Sequence, residues 1–115
     1  MPRIHCFPPI ADSNARILIL GSMPGQASLR AGQYYAHPRN AFWPIMGSLI
    51  GAGPGFPYPE RIRILLSARI AVWDVLALCI RHSSMDADIE AASINSNDFE
   101  LFLLAHPHIA YSISR

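Results

Sequence analysis

The stretch Gly21-Ser22-Met23-Pro24-Gly25 sets two glycines around a proline directly after the apolar run Arg16-Ile17-Leu18-Ile19-Leu20. Such a turn lets main-chain N–H groups point into a site with no side chain in the way. It is not a Walker loop, because no Gly-Lys-Ser/Thr follows, and the Gly-x-Gly-x-x-Gly spacing of dinucleotide sites is absent. By pattern alone, a tight structural turn is the simpler reading. Farther on, Tyr34 and Tyr35 stand beside His37, Pro38, Arg39 and Asn40. Aromatic faces stack on nucleobases and arginine holds phosphate, so this cluster suits the gripping of a single nucleotide. The balancing reading is that both tyrosines only close a loop over the core. Asn40 is either the N-cap of the helix that follows or an amide that orients a water and hydrogen-bonds a base edge.

Other chemistries fit the residues less well. His5 and Cys6 are adjacent, Cys79 and His82 are three apart, and His37 lies between them in sequence. Neither Cys-x-x-Cys nor His-Glu-x-x-His occurs, so zinc ligation is disfavoured and no metal is expected. Ser22 follows a strand, but Gly-x-Ser-x-Gly is missing, which argues against a serine hydrolase. Asp74 ends a second apolar run, and a structural role is the favoured reading for it.

These residues need elements to hold them. Ile17 to Leu20 reads as a buried central strand, and Ile70-Ala71-Val72-Trp73-Asp74 repeats the pattern as a parallel partner. Residues 26–39 carry no steady period and read as a long loop, of the kind that tends to be functional. Phe42, Ile45, Met46, Leu49 and Ile50 follow helical spacing, with Asn40 as cap and Gly51 as stop. A second helix opens at Pro59-Glu60, with Ile62, Leu65 and Leu66 inward and Arg61 and Arg63 outward. Ser83 to Asp86 and Asn97-Asp98 each look like helix starts, and His108 to Ile113 begins a third strand. Strand, helix, strand, helix, strand is the grammar of an α/β domain with a parallel sheet. Ligands of such sheets bind beyond the carboxyl ends of the strands, which points to the loop after Leu20 and to Asp74.

Composition narrows the class. The chain has 115 residues, 51% apolar and 15% charged, which is the content of one folded domain and excludes a disordered tail, a coiled coil or a highly charged nucleic-acid arm. All nine basic residues are arginine and the net charge is +1, which neither demands nor excludes a nucleic-acid partner. Without a long apolar span or an export signal, the chain reads as soluble and cytoplasmic, with Cys6 and Cys79 reduced and no membrane partner.

Several blocks together resemble one family: Leu20-Gly21-Ser22-Met23-Pro24-Gly25, Ser28-Leu29, Gln33-Tyr34-Tyr35-Ala36-His37-Pro38-Arg39-Asn40-Ala41-Phe42-Trp43, Trp73-Asp74-Val75-Leu76 and Asn97-Asp98-Phe99. In order, spacing and identity they resemble the hypoxanthine (deoxyinosine) DNA glycosylases of the uracil-DNA glycosylase superfamily, over roughly residues 5 to 109. The related mismatch-specific enzymes share the Gly-x-x-Pro-Gly turn, but carry Asn where this chain has Met23. The resemblance implies a three-layer α/β/α sandwich with a central parallel sheet, a monomer acting on DNA that contains deaminated bases, and no cofactor. It implies that the damaged nucleotide is flipped into a pocket at the strand ends. There Gly21, Ser22, Met23, Pro24 and Gly25 would line the base, Tyr35 would stack on it, and Asn40 would be the catalytic amide. Arg39 and Arg30 are the candidate phosphate contacts. The products would be hypoxanthine and an abasic site, with no strand cut, since no lysine is present to form a Schiff base.

After Ile109 the family pattern continues with a Phe-Asn-Gly turn, further elements and a loop that presses into DNA, and the residues Ala110 to Arg115 do not follow it. The expectation is a single domain over residues 1–115 that lacks the C-terminal third of a typical member, with an uncovered apolar face and weakened or lost activity. Two alternatives to the glycosylase reading therefore stand: a catalytically impaired remnant that at most binds DNA weakly, and a metal hydrolase using His37, Cys79 and His82.

Overall fold

A computed structural model describes residues 3–81 and 83–114. The chain runs β1 (Ile4–His5), β2 (Ile17–Gly21), α1 (Gln26–Ala31), α2 (Phe42–Ile50), α3 (Tyr58–Ser67), β3 (Ile70–Asp74), β4 (Leu76–Cys79), β5 (Asn95–Ser96), α4 (Phe99–Ala105) and β6 (Tyr111–Ser114). The principal sheet has the order β3-β2-β6 and is parallel throughout, so the first apolar run is its central strand. A smaller antiparallel sheet, β1-β4-β5, lies beside it in the chain's course.

Side-chain alternation along β2 and β3 divides the core in two. Ile19 and Val72 face one way, into a cluster with Phe42, Trp43 and Met46 of α2 and Leu65 of α3. Leu18 and Ala71 face the other way, onto Phe102 of α4. Successive residues of a strand point to opposite faces, and a sheet buried on both faces reads as an unbroken apolar run. Helices on both faces of a parallel sheet give the expected three-layer α/β arrangement. The outward side of α4 and the outer strand β6 carry exposed Leu101, Leu104, Tyr111 and Ile113.

Several local features depart from the periodicity. The segment expected as one long loop contains α1, a six-residue helix closed by Gly32 at φ 66°, whose N–H bonds the Ser28 carbonyl. α2 starts at Phe42 with Ala41 as its N-cap, two residues after Asn40, and stops at Gly51 as expected, at φ 81°. Ser83 to Asp86 leads to a single 3-10 turn at Asp86–Asp88 and not to an α-helix. Asp98 does cap α4, its carboxylate accepting from the Leu101 N–H at 3.0 Å. Arg63 is outward and paired with Glu60, but Arg61 lies across the Trp43 ring, 4.7 Å from its centroid.

Candidate functional site at the strand ends

The parallel register places Gly21 opposite Asp74, so the turn after β2 and the last residue of β3 emerge side by side. The chain then folds back: Val75 N–H donates to the Gly21 carbonyl at 2.8 Å and Leu76 N–H to that of Ser22 at 3.1 Å. A cavity of about 390 Å³ opens here, lined by Gly21 to Gly25 together with Tyr35, Asn40, Asp74 and Asp86. That size falls in the range of small-molecule sites, roughly 300–1,000 Å³. Met23 and Pro24 are buried under its wall, while Ser22 and Gly25 are half-buried.

The structure separates the tyrosine pair. Tyr34 is a core residue, 3% exposed, whose hydroxyl donates to the Pro8 carbonyl at 3.0 Å and whose N–H donates to the Tyr58 hydroxyl at 3.0 Å. Burial holds that hydroxyl well above its ordinary pKa, with Asp74 adding to the effect, so it remains a donor. Trp43 Nε1–H ties the same residue down through its carbonyl at 2.8 Å. Tyr35 instead takes a left-handed backbone at φ 55°, a conformation that costs a side-chain-bearing residue of order 1–3 kcal/mol and tends to collect at functional sites. The twist lays its ring on Phe42, with centroids 4.2 Å apart and planes 28° from parallel. One face of Tyr35 is thereby backed by the core.

Asn40 sits at the corner between loop and helix. Its N–H donates to the His37 carbonyl at 2.9 Å, and its Oδ1 accepts from Phe42 N–H at 2.9 Å. The amide is therefore locked by the start of α2 without being its N-cap. Both Arg39 and Arg30 are exposed, Arg39 on the same loop one residue before Asn40 and Arg30 on α1.

Ser84 and Asp86, which the sequence reading did not assign to the site, complete the rim. Ser22 hydroxyl donates to Asp86 Oδ2 at 2.6 Å, and Gln26 N–H donates to Ser84 Oγ at 2.8 Å, which fastens the 83–88 segment across the mouth of the turn. Behind the turn, the wholly buried Arg81 side chain donates from Nη2 to the Pro24 carbonyl and stands 4.0 Å from Asp86. The Ser- and Asp-rich stretch was the available signal: side chains of this type cap exposed main-chain groups, here across the chain and not within a helix.

Asp74 is 3% exposed, and its Oδ2 has no hydrogen-bond partner among the described residues. Burial pushes its carboxyl up to about 6, helped by Asp86 and opposed by Arg81. Between its ordinary value of 3.8 and about 6, the folded chain binds more proton at this site than the unfolded chain. Stability from this group is thus complete below the ordinary value and is lost as pH rises through 6. A shift of this size corresponds to about 3 kcal/mol. Asp74→Asn is accordingly expected to gain stability over the parent at pH 8 and to lose that advantage at pH 4, as urea unfolding at the two pH values will measure.

The trio weighed as a metal-hydrolase alternative is described only in part. His37 is exposed at the site, Cys79 is buried at the end of β4, and His82 lies outside the described residues. Among the described residues no three His, Cys, Asp or Glu side chains come together as a metal-holding group. Likewise, no described helix is long and apolar enough to cross a membrane.

The fold is thus a parallel α/β sandwich with a pocket at its strand ends, lined by the Gly21–Gly25 turn, Tyr35 and Asn40. The chain belongs to the uracil DNA glycosylase superfamily, whose model matches residues 8–110. It is similar to a hypoxanthine DNA glycosylase of Methanosarcina barkeri, with 43% identity over 90 residues, and to one of Methanosarcina acetivorans, with 40% over 90 residues. Each match covers 77% of this chain and 57% of the relative, so the chain spans little more than half the length of these curated proteins. The solution NMR structure of a candidate uracil DNA glycosylase from Methanosarcina acetivorans superposes with a TM-score of 0.83 at 34% identity, covering 98% of this chain and 70% of that one.

Proposed function

We propose that this chain is a DNA glycosylase that hydrolyses the N-glycosidic bond of deoxyinosine, releasing hypoxanthine and leaving an abasic site. The observation that carries this reading is the convergence of the Gly21–Gly25 turn, Tyr35 and Asn40 on one pocket at the carboxyl end of the sheet. The names of the two Methanosarcina relatives support the choice of hypoxanthine. It acts as a cytoplasmic monomer on DNA containing deaminated bases and needs no cofactor.

The chemistry follows from where charge develops. Breaking the bond builds positive charge on the sugar and negative charge on the leaving purine, and only interactions that strengthen with those charges speed the step. Main-chain N–H groups of the turn take up charge on the purine. The base, flipped from the stack, lies against the ring of Tyr35, whose far face Phe42 supports. Asn40 Oδ1 accepts from Phe42 N–H, which fixes the side-chain amide at the pocket, where it orients the attacking water.

Incubation with a duplex containing one deoxyinosine, followed by alkali, is expected to cut the strand at that nucleotide. An intact strand under conditions where an undisputed family member cuts it would sink the proposal. Arg30 and Arg39 are assigned to phosphates. Arg39→Ala and Arg30→Ala should each weaken binding to inosine-containing and ordinary duplexes alike, and should each reduce the slope of log affinity against log salt by about 1. Fluorescence-anisotropy titrations across salt concentrations will read this, and an unchanged slope removes the assignment for that residue.

A further inference from the structure

We propose that Asp74 is a second catalytic group, which delivers a proton to the purine as the glycosidic bond breaks. This rests on the glycosylase reading and adds to it a residue whose position at a strand end alone suggested a structural role.

Geometry makes the case. Asp74 closes β3 directly opposite Gly21 and lines the same cavity as Asn40 and Tyr35. Its Oδ1 lies 2.5 Å from the point where a Cβ on Gly21 would stand, so the carboxyl occupies space that only a glycine leaves open. Asn97 Nδ2 secures the residue from behind by donating to its main-chain carbonyl at 2.6 Å. The carboxyl itself has no such anchor at Oδ2, and among the described residues no cation lies within ion-pair distance of it. A buried carboxylate oxygen without a hydrogen-bond partner is costly, and protonation is the ordinary escape.

The titratable and charged neighbours agree on this state. Tyr34, Tyr35 and His37 line the pocket from the loop after α1 and Asp86 from the 3-10 turn, while Arg81, two residues beyond β4, stands behind the turn. Burial is the largest influence on Asp74, the Asp86 charge adds to it, and Arg81 opposes them without cancelling them. The result is a carboxylic acid at mildly acidic pH with its proton available to the pocket.

The step balances. The C1′–N9 bond breaks and its electron pair passes to the purine, a ring nitrogen takes the Asp74 proton, and hypoxanthine departs neutral. Water held by Asn40 adds to C1′, and the proton it sheds returns to the Asp74 carboxylate. General acids of this kind contribute about 10²–10⁴-fold.

The test is the pH profile of single-turnover excision from a deoxyinosine duplex. The parent rate is expected to fall above pH 6 by about tenfold per pH unit. Asp74→Asn, which keeps a hydrogen-bond donor but has no acid proton to give, should be about 10²–10⁴-fold slower with a flat profile. His37→Gln should retain the inflection, which separates Asp74 from the nearby imidazole. Carboxyl-carbon NMR of the parent should show Asp74 titrating near 6, whatever the variants do. A flat or rising parent profile, an Asp74→Asn variant with the parent's rate and profile, or a carboxyl titrating in the ordinary aspartate range overturns the proposal while leaving the glycosylase reading intact. No excision at any pH removes both.

Discussion

Asn40→Ala is expected to lower hypoxanthine release by about 10²–10³-fold, the usual cost of deleting one fixed polar group that acts on the transition state. The residue is held twice, its main-chain N–H on the His37 carbonyl and its side-chain Oδ1 on Phe42 N–H, so the amide enters the reaction already placed. Truncation removes the water's anchor and the bond to Phe42, and leaves Tyr35 and the turn in position to bind the base. The loss should therefore appear in kcat and leave KM nearly unchanged. Stability should fall by only about 0.5–1.5 kcal/mol, one net hydrogen bond. Asn40→Asp keeps an oxygen for both Phe42 and the water and should fall between the two. Equal kcat for Asn40→Ala and the parent on a deoxyinosine duplex would return Asn40 to a purely structural role.

Gly21→Ala is expected to be nearly as damaging by a different route. A Cβ there would stand 2.5 Å from Asp74 Oδ1 and 3.1 Å from the Tyr35 hydroxyl, so one methyl group displaces two walls of the pocket. Asp74 is buried and paired with Gly21 in register, which leaves its carboxyl little room to retreat. Overpacking of this kind costs about 1–3 kcal/mol. A displacement of about 1 Å at a reacting group costs on the order of 10²-fold in rate. Thermal unfolding and single-turnover excision, measured on the same preparation, should show both losses. Full activity in this variant would mean that the close approach of Gly21, Asp74 and Tyr35 is irrelevant to the reaction.

What could be read from the sequence follows a physical division. β2 and β3 are legible because strands buried on both faces are continuous apolar runs with abrupt ends at Gly21 and Asp74. α3 is legible because Leu65, with Ile62 and Leu66, keeps to one side of a helix. α1 is not, since six residues make too few turns to show a stripe, and β1 and β5, two residues each, exist only by pairing with β4. β4 escaped because a single residue, Val75, separates it from β3, and the two merge in the sequence. In the site, the turn, Tyr35 and Asn40 follow from the family resemblance. The Oδ2 of Asp74, without a hydrogen-bond partner among the described residues, and the guanidinium of Arg81 behind Pro24 do not, because both are consequences of register and burial between segments far apart in the chain.

The order of strands also bears on how the molecule is made. β2 takes β3 as its first neighbour and β6 as its second, so Ile17 pairs with Ile70 on one side and with Tyr111 on the other. During synthesis the first pairing partner emerges well before the second, and domains begin to organise as their segments appear. Parallel pairings between distant segments close slowly, because loop entropy is lost before any contact is gained. The central strand therefore passes through a stage with one edge bare. In that interval the α2–α3 side of the sheet and the turn beside Asp74 can already be assembled, and the arrival of β6 covers the bare edge of β2.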